Sequence, residues 1–140
     1  MNMETAIDRT SDASREIVAA LRQRLRVAAA RHEDRVDEHV SRYWIAWRSR
    51  NRDRVFAEIR PLRKRVEVFI LPGPRELRGG AGLARRAPRT QGWGWFRTRF
   101  DVRSMGEVES AARLILQSYL HGVRTSRGNG RRTVRRRQGL

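Results

Sequence analysis

Between Ser41 and Leu71 the chain reads SRYWIAWRSRNRDRVFAEIRPLRKRVEVFIL, three apolar alternations separated by two basic links. Tyr43, Ile45 and Trp47 alternate with Trp44, Ala46 and Arg48; Val55, Ala57 and Ile59 with Phe56, Glu58 and Arg60; Val66, Val68 and Ile70 with Glu67, Phe69 and Leu71. A two-residue period rich in aromatic and β-branched side chains belongs to strands, whose successive side chains leave opposite faces. The links, Ser49 to Asp53 and Pro61 to Lys64, are short and rich in turn formers, as hairpin loops are. The stretch predicts an antiparallel meander with one face packed on the rest of the chain and arginine-bearing turns in solvent.

The flanks read as helices. Ile17, Leu21, Leu25 and Ala28 recur at helical steps, predicting a helix from about Ser11 to Arg31 with Ser11 or Asp12 as its cap. Met1 to Thr10 reads as a mobile end, and His32 to Val40 as a second turn or short helix with Val36 and Val40 inward. Leu71-Pro72-Gly73-Pro74 stops the third strand, and a long glycine- and arginine-rich connection follows to about Gln91, with one helical turn over Leu83 to Arg86. Trp93 to Val102 predicts a fourth strand, with Phe96, Thr98 and Phe100 on one face and Trp95, Arg97 and Arg99 on the other. Ser104 and Glu107 have the spacing of a capping box ahead of a stripe of Val108, Ala111, Ala112, Ile115 and Tyr119, and Gly122 stands where a glycine cap belongs. The expectation is an α+β fold: an N-terminal helix, an antiparallel sheet of about four strands, a C-terminal helix packed on the sheet, and a disordered basic tail. Its divisions are an N-terminal helical segment over 1–40, an α+β domain over 41–122 and the tail over 123–140.

Charge points to the partner. The chain of 140 residues carries a net +17, unevenly spread. Residues 1–40 hold seven arginines against eight carboxylates; residues 41–120 hold eighteen basic and seven acidic side chains; the last twenty hold seven arginines and no carboxylate. Such a field attracts polyanions, and neutralising phosphates releases condensed counterions. Lys64 is the only lysine, and arginine suits bidentate phosphate contact and base stacking. A GC-rich genome's codon preference accounts equally well for arginine over lysine, but not for the net excess. With no cysteine, the chain has no disulfide, thiolate metal site or cysteine nucleophile. No apolar run approaches a membrane span and the N-terminus is unlike a signal peptide, so a cytoplasmic protein is expected.

Two groups of residues carry the functional expectation. The first is an aromatic and basic mixture, in which Arg48, Arg50, Arg52, Arg97 and Arg99 would hold phosphates and Trp95 would stack on bases. Any single tryptophan is more readily explained as core, and alternation keeps Trp44 and Trp47 on opposite faces. Trp95, sharing a face with Arg97 and Arg99, is the one expected to be exposed. The second is the tail, in which Arg131, Arg132, Arg135, Arg136 and Arg137 would add sequence-independent affinity.

Enzymatic signals are weaker. His32, His39 and His121 lack any metal-ligand spacing; Asp53, Glu58 and Arg60 lack the lysine of a nuclease site; and Gly79-Gly80-Ala81-Gly82 is not followed by the lysine of a phosphate-binding loop. No catalytic residue, metal ligand or cofactor is assigned.

Four motifs in order resemble a small prokaryotic domain family of unknown function, over about Tyr43 to Tyr119. They are Tyr43-x-x-Ala46-Trp47-Arg48; Phe56-x-Glu58-Ile59 with its following basic residues and aliphatic strand; Gly82-Leu83-Ala84-Arg85 with Gly92-Trp93-Gly94; and Glu107 through Leu114-Ile115 to Ser118-Tyr119. The resemblance implies an α+β module often joined to other domains, nuclease-like ones among them, and implies no activity.

The reading is a non-enzymatic nucleic-acid-binding module for DNA or RNA, without sequence preference. The rival is a protein-interaction or dimerisation module, possibly accessory to a larger enzyme, using Leu21, Leu25 and an exposed sheet edge. A small-ligand site under the Gly79 to Gln91 loop is a third possibility.

Overall fold

A computed structural model of the chain describes residues 4–79, 83–88 and 95–122. The fold is α+β. Helices α1 (Ala6–Arg9), α2 (Asp12–Ala30) and α3 (Val108–Tyr119) accompany six strands: β1 (Val36–Val40), β2 (Ile45–Ser49), β3 (Arg54–Pro61), β4 (Val66–Ile70), β5 (Arg85–Arg86) and β6 (Thr98–Val102). All strand pairings are antiparallel, in the order β1-β2-β3-β4-β6-β5. No helix among the described residues is long and apolar enough to cross a membrane.

The predicted meander is β2-β3-β4, and the sheet grows beyond four strands at both edges. Ile17, Val18, Leu21 and Leu25 of α2 and Val108, Ala111, Leu114 and Ile115 of α3 form one core with Ile45, Trp47, Ile59, Val66, Val68, Ile70, Phe100 and Val102 of the sheet. Leu21 and Leu25, the residues proposed for a dimer face, are therefore inside the chain's own core. Arg24 pairs with Glu109 across the two helices.

Of the segment expected as a turn or short helix over 32–40, the chain turns at residues 31–33 but Val36–Val40 is instead the edge strand β1. A carboxylate at an inward position hides its alternation. Glu38 lies opposite Trp47, whose Nε1 donates to Glu38 Oε2 at 3.0 Å, while Arg22 reaches the same carboxylate with Nε and, at 2.9 Å, with Nη2. A charge with this many partners can stand where an aliphatic residue normally would. Residues expected to be a mobile end include α1, capped by Thr5: its hydroxyl accepts from Asp8 N, and Asp8 Oδ2 accepts from Thr5 N at 3.0 Å. Ala6 N donates to Ser41 O at 2.9 Å, holding this turn beside the sheet.

The alternation expected in β3 shifts phase at a β-bulge. Trp47 pairs with Ala57 but Arg48 with Val55, so Phe56 is the extra residue. Phe56 and Ala57 both enter the main core, whereas Val55 packs on the other face. A bulge leaves one residue outside the ladder; here Ser118 Oγ of α3 donates to Phe56 O at 2.5 Å and accepts from Leu71 N at 3.0 Å. The expected fourth strand begins only at Thr98, and Phe96 joins the opposite face from Phe100. Thr98 marks this change, its Oγ1 donating to Pro72 O at 2.6 Å in the interior.

Two smaller expectations also change. Arg85 and Arg86 form a short strand paired with β6, not a helical turn. Glu107 accepts from Arg103 N at 2.6 Å, not from Ser104, and Met105–Glu107 is a 3-10 turn before α3 starts at Val108. Gly122 has φ +84, the left-handed conformation expected of a residue closing a helix.

Candidate nucleic-acid interface

The sheet face turned away from α2 and α3 divides into an apolar part and a charged part. Phe69, Ala87 and Phe96 form a small second core with Trp44, Val55 and Leu71. Phe96 is buried, while Trp95 and Arg97 on either side of it are exposed, Trp95 to 68%. Arg97 N nevertheless donates to Ile70 O at 3.1 Å, and Arg97 O accepts from Ala87 N at 2.9 Å. The backbone beside these exposed side chains is thus fastened to both neighbouring strands.

Strand register extends this surface. Phe69 pairs with Glu58 on one side and with Arg99 on the other, and Arg99 in turn pairs with Arg85. Directly opposite residues share a face, so Glu58, Phe69, Arg99 and Arg85 form one transverse row. A parallel row holds Arg60, Glu67 and Asp101. Glu67, only 6% exposed, lies 3.8 Å from Arg60, 3.3 Å from Arg65 and 3.7 Å from Arg99. Asp101 meets Arg65 at 3.6 Å and Arg103 at 3.3 Å. Arg60 also lies over the Trp44 ring, 5.6 Å from its centroid. Arg60, Arg65, Arg85 and Arg103 are not among the residues expected from sequence to bind nucleic acid. The alternation around Arg60 and Glu67 was a usable signal for the first; the register that gathers the others is a tertiary property.

Of the residues expected to bind nucleic acid, Arg99 lies on this face opposite Phe69, and Trp95 and Arg97 are exposed on either side of Phe96. Arg48 and Arg50 stand apart from them, near β1: both pair with Asp37, at 3.4 and 2.8 Å, and Arg48 also pairs with Asp53. The hydrogen bond from Arg50 to Asp37, partly opposed by desolvation and aided by its charge and that of Arg48, holds the Asp37 carboxyl below its ordinary pKa. β2 is three strand spacings from β6, roughly 14 Å.

Arg52 is turned elsewhere. Its guanidinium lies over the Tyr119 ring, 4.3 Å from the centroid, and donates to Tyr119 O at 3.4 Å. Arg54 donates to His121 O beside it. Arg52 satisfies a carbonyl in the last turn of α3 and Arg54 one just past its end, and both cations complement the helix dipole. Burial, and then the neighbouring Arg52 charge, push the Arg54 guanidinium's pKa down. Arg131, Arg132, Arg135, Arg136, Arg137 and the rest of the expected tail lie outside the described residues.

The most elaborate polar cluster has the marks of a structural joint. Asp34 Oδ2 accepts from Ser49 Oγ at 2.5 Å and Tyr119 Oη at 2.7 Å; Oδ1 accepts from Arg35 N at 2.7 Å and Asn51 N at 2.9 Å. Burial alone would raise this carboxyl, but the four hydrogen bonds outweigh it and hold the pKa at about 2. An acceptor so fully occupied is a poor general base. No group of three or more histidines, aspartates or glutamates among the described residues could hold a metal ion.

No protein-family model, curated protein or solved structure matches the chain. The resemblance over Tyr43 to Tyr119 therefore rests on its four motifs alone.

Proposed function

We propose that the chain is a non-enzymatic, cytoplasmic nucleic-acid-binding module that holds single strands against the sheet face opposite its helices. The observation that carries the reading is the arrangement around Phe96: a buried anchor flanked by exposed Trp95 and exposed Arg97, one residue from Arg99. An exposed indole offers a stacking platform for any base, and nearby guanidiniums would meet the phosphates between bases. Arg60 and Arg85 extend the positive strip across the sheet, and the arginines of 123–140 add non-specific attraction. Binding is expected to be indifferent to sequence, because the face offers stacking and charge more than a pattern of donors and acceptors.

The test is fluorescence anisotropy of labelled single- and double-stranded DNA and RNA over a salt series. Arg97→Ala with Arg99→Ala in one chain is expected to weaken single-strand binding and flatten its salt slope by about two phosphate contacts. Binding unchanged by this double substitution would refute the role given to this face.

A further inference from the structure

We propose that the cleft formed by Arg85, Arg99 and Arg103 is a phosphate-binding site. It has a volume of about 170 Å³ and lies where β5, β6 and the approach to α3 meet, with Leu83, Asp101 and Glu107 completing its walls. Two features together point to an anion. Arg85 and Arg99 are direct cross-strand partners, so two like charges share one face at adjacent positions. Such a pair is destabilising unless a counter-charge lies between or beside them. Arg103 brings a third guanidinium to the same cleft.

The carboxylates nearby are already committed. Glu67 is shared among Arg60, Arg65 and Arg99, and its 3.7 Å separation from Arg99 is a loose ion pair. Asp101 is shared between Arg65 and Arg103. Glu107 is held by the Arg103 backbone N–H at 2.6 Å. Four guanidiniums, those of Arg60, Arg65, Arg99 and Arg103, thus share two carboxylates, and among the described residues Arg85 has no carboxylate within ion-pair distance. A tetrahedral oxyanion seated among Arg85, Arg99 and Arg103 would accept several charge-assisted hydrogen bonds and remove the repulsion between the first two. The cleft's volume suits one phosphate with part of an attached sugar. Its position beside Arg99 would continue the strip running from Trp95, so the choice of a strand's phosphate as the ligand rests on the nucleic-acid reading above; the phosphate site itself rests on the cleft.

The full chain, labelled for observation of arginine side-chain N–H signals, is titrated with inorganic phosphate. Matched oligothymidylates carrying a 5′-phosphate or a 5′-hydroxyl are then titrated by anisotropy against the wild type, Arg85→Gln, Arg103→Gln and Trp95→Ala. Phosphate is expected to shift the Arg85 and Arg103 signals, and Arg85→Gln to abolish the effect at Arg103. Each glutamine variant is expected to weaken oligonucleotide binding about tenfold at low salt. A preference for the 5′-phosphate that is lost in Arg85→Gln would identify a strand end as the source, and an equal loss for both strands a backbone phosphate. Oligonucleotide binding equal to wild type in both glutamine variants, with no response of the cleft arginines to phosphate, would overturn the site. If binding is still lost in Trp95→Ala, the nucleic-acid reading survives that result. Phosphate seated in the cleft without any oligonucleotide binding would retain the site and end the nucleic-acid reading.

Discussion

The Tyr119 hydroxyl donates a 2.7 Å hydrogen bond to Asp34 Oδ2, joining residues 85 positions apart inside the protein. The contact ties the end of α3 to the turn between α2 and β1, and the same oxygen also holds Ser49 at the end of β2. Tyr119 makes two ring contacts as well, edge-on to Phe56 at 5.2 Å and tilted against His32 at 5.8 Å. One residue thus links the bulge, the last helix and the first edge of the sheet.

Removing only the hydroxyl isolates the polar part of this joint. Tyr119→Phe is expected to lower unfolding stability by about 1–2 kcal/mol, because Asp34 keeps three of its donors. Asp34→Ala strands all four donors and is expected to cost about 3 kcal/mol or more. Urea denaturation of both variants checks the order and the sizes.

Acid should act through the same carboxylate. The folded-state pKa of Asp34, about 2, lies below the ordinary aspartate value, so the folded protein resists protonation there. The unfolded chain binds the proton first as pH falls, and folding therefore loses stability in acid. This contribution is complete above about pH 4 and drains away as pH falls through about 2. In Asp34→Asn, a less stable protein, the fall in stability across that window is expected to be shallower than in wild type. Equal slopes by denaturant titration at several pH values would place the acid sensitivity elsewhere.

Ser118 offers a second structural test. Its hydroxyl serves the unladdered carbonyl of Phe56, which is buried, and the N–H of Leu71, which is partly so. Ser118→Ala leaves a carbonyl and an amide without partners and is expected to cost about 2–3 kcal/mol, more than the average substitution. Thermal unfolding with circular dichroism reads this directly.

Glu67 restrains the arginines that the proposed function needs. Glu67→Gln removes the charge shared by Arg60, Arg65 and Arg99. Single-strand binding is expected to tighten about fivefold at low salt and less at high salt. The same substitution is expected to lower the melting temperature, since those guanidiniums lose their counter-charge. Weaker binding at every salt concentration would mean that the carboxylate orders the arginines for their partner.

Much of this architecture was legible in local pattern. β2, β3 and β4 announce themselves because Ile45, Trp47, Ile59, Val66, Val68 and Ile70 all fall at two-residue steps on the buried face. α2 and α3 follow from apolar stripes at helical spacing. What escaped were features whose stabilisation comes from distant residues. β1 was hidden by inward-facing Glu38, which is acceptable only because Arg22 and Trp47 supply donors. The bulge at Phe56 depends on Ser118, and the break between Phe96 and Thr98 on the carbonyl of Pro72. The candidate interface was half legible. Trp95 was correctly expected to be exposed, yet nothing local to Arg52 reveals that it stacks on Tyr119, or local to Arg85 that it faces Arg99.

The most direct test of the central claim is amide and indole chemical-shift mapping on the 16.4 kDa chain during titration with a single-stranded oligonucleotide. The account predicts shifts concentrated on Phe69, Trp95, Arg97, Arg99 and the Trp95 indole, while the indole of fully buried Trp47 stays still. Shifts confined to 123–140, or spread over α2 and α3 with the sheet face silent, would contradict it.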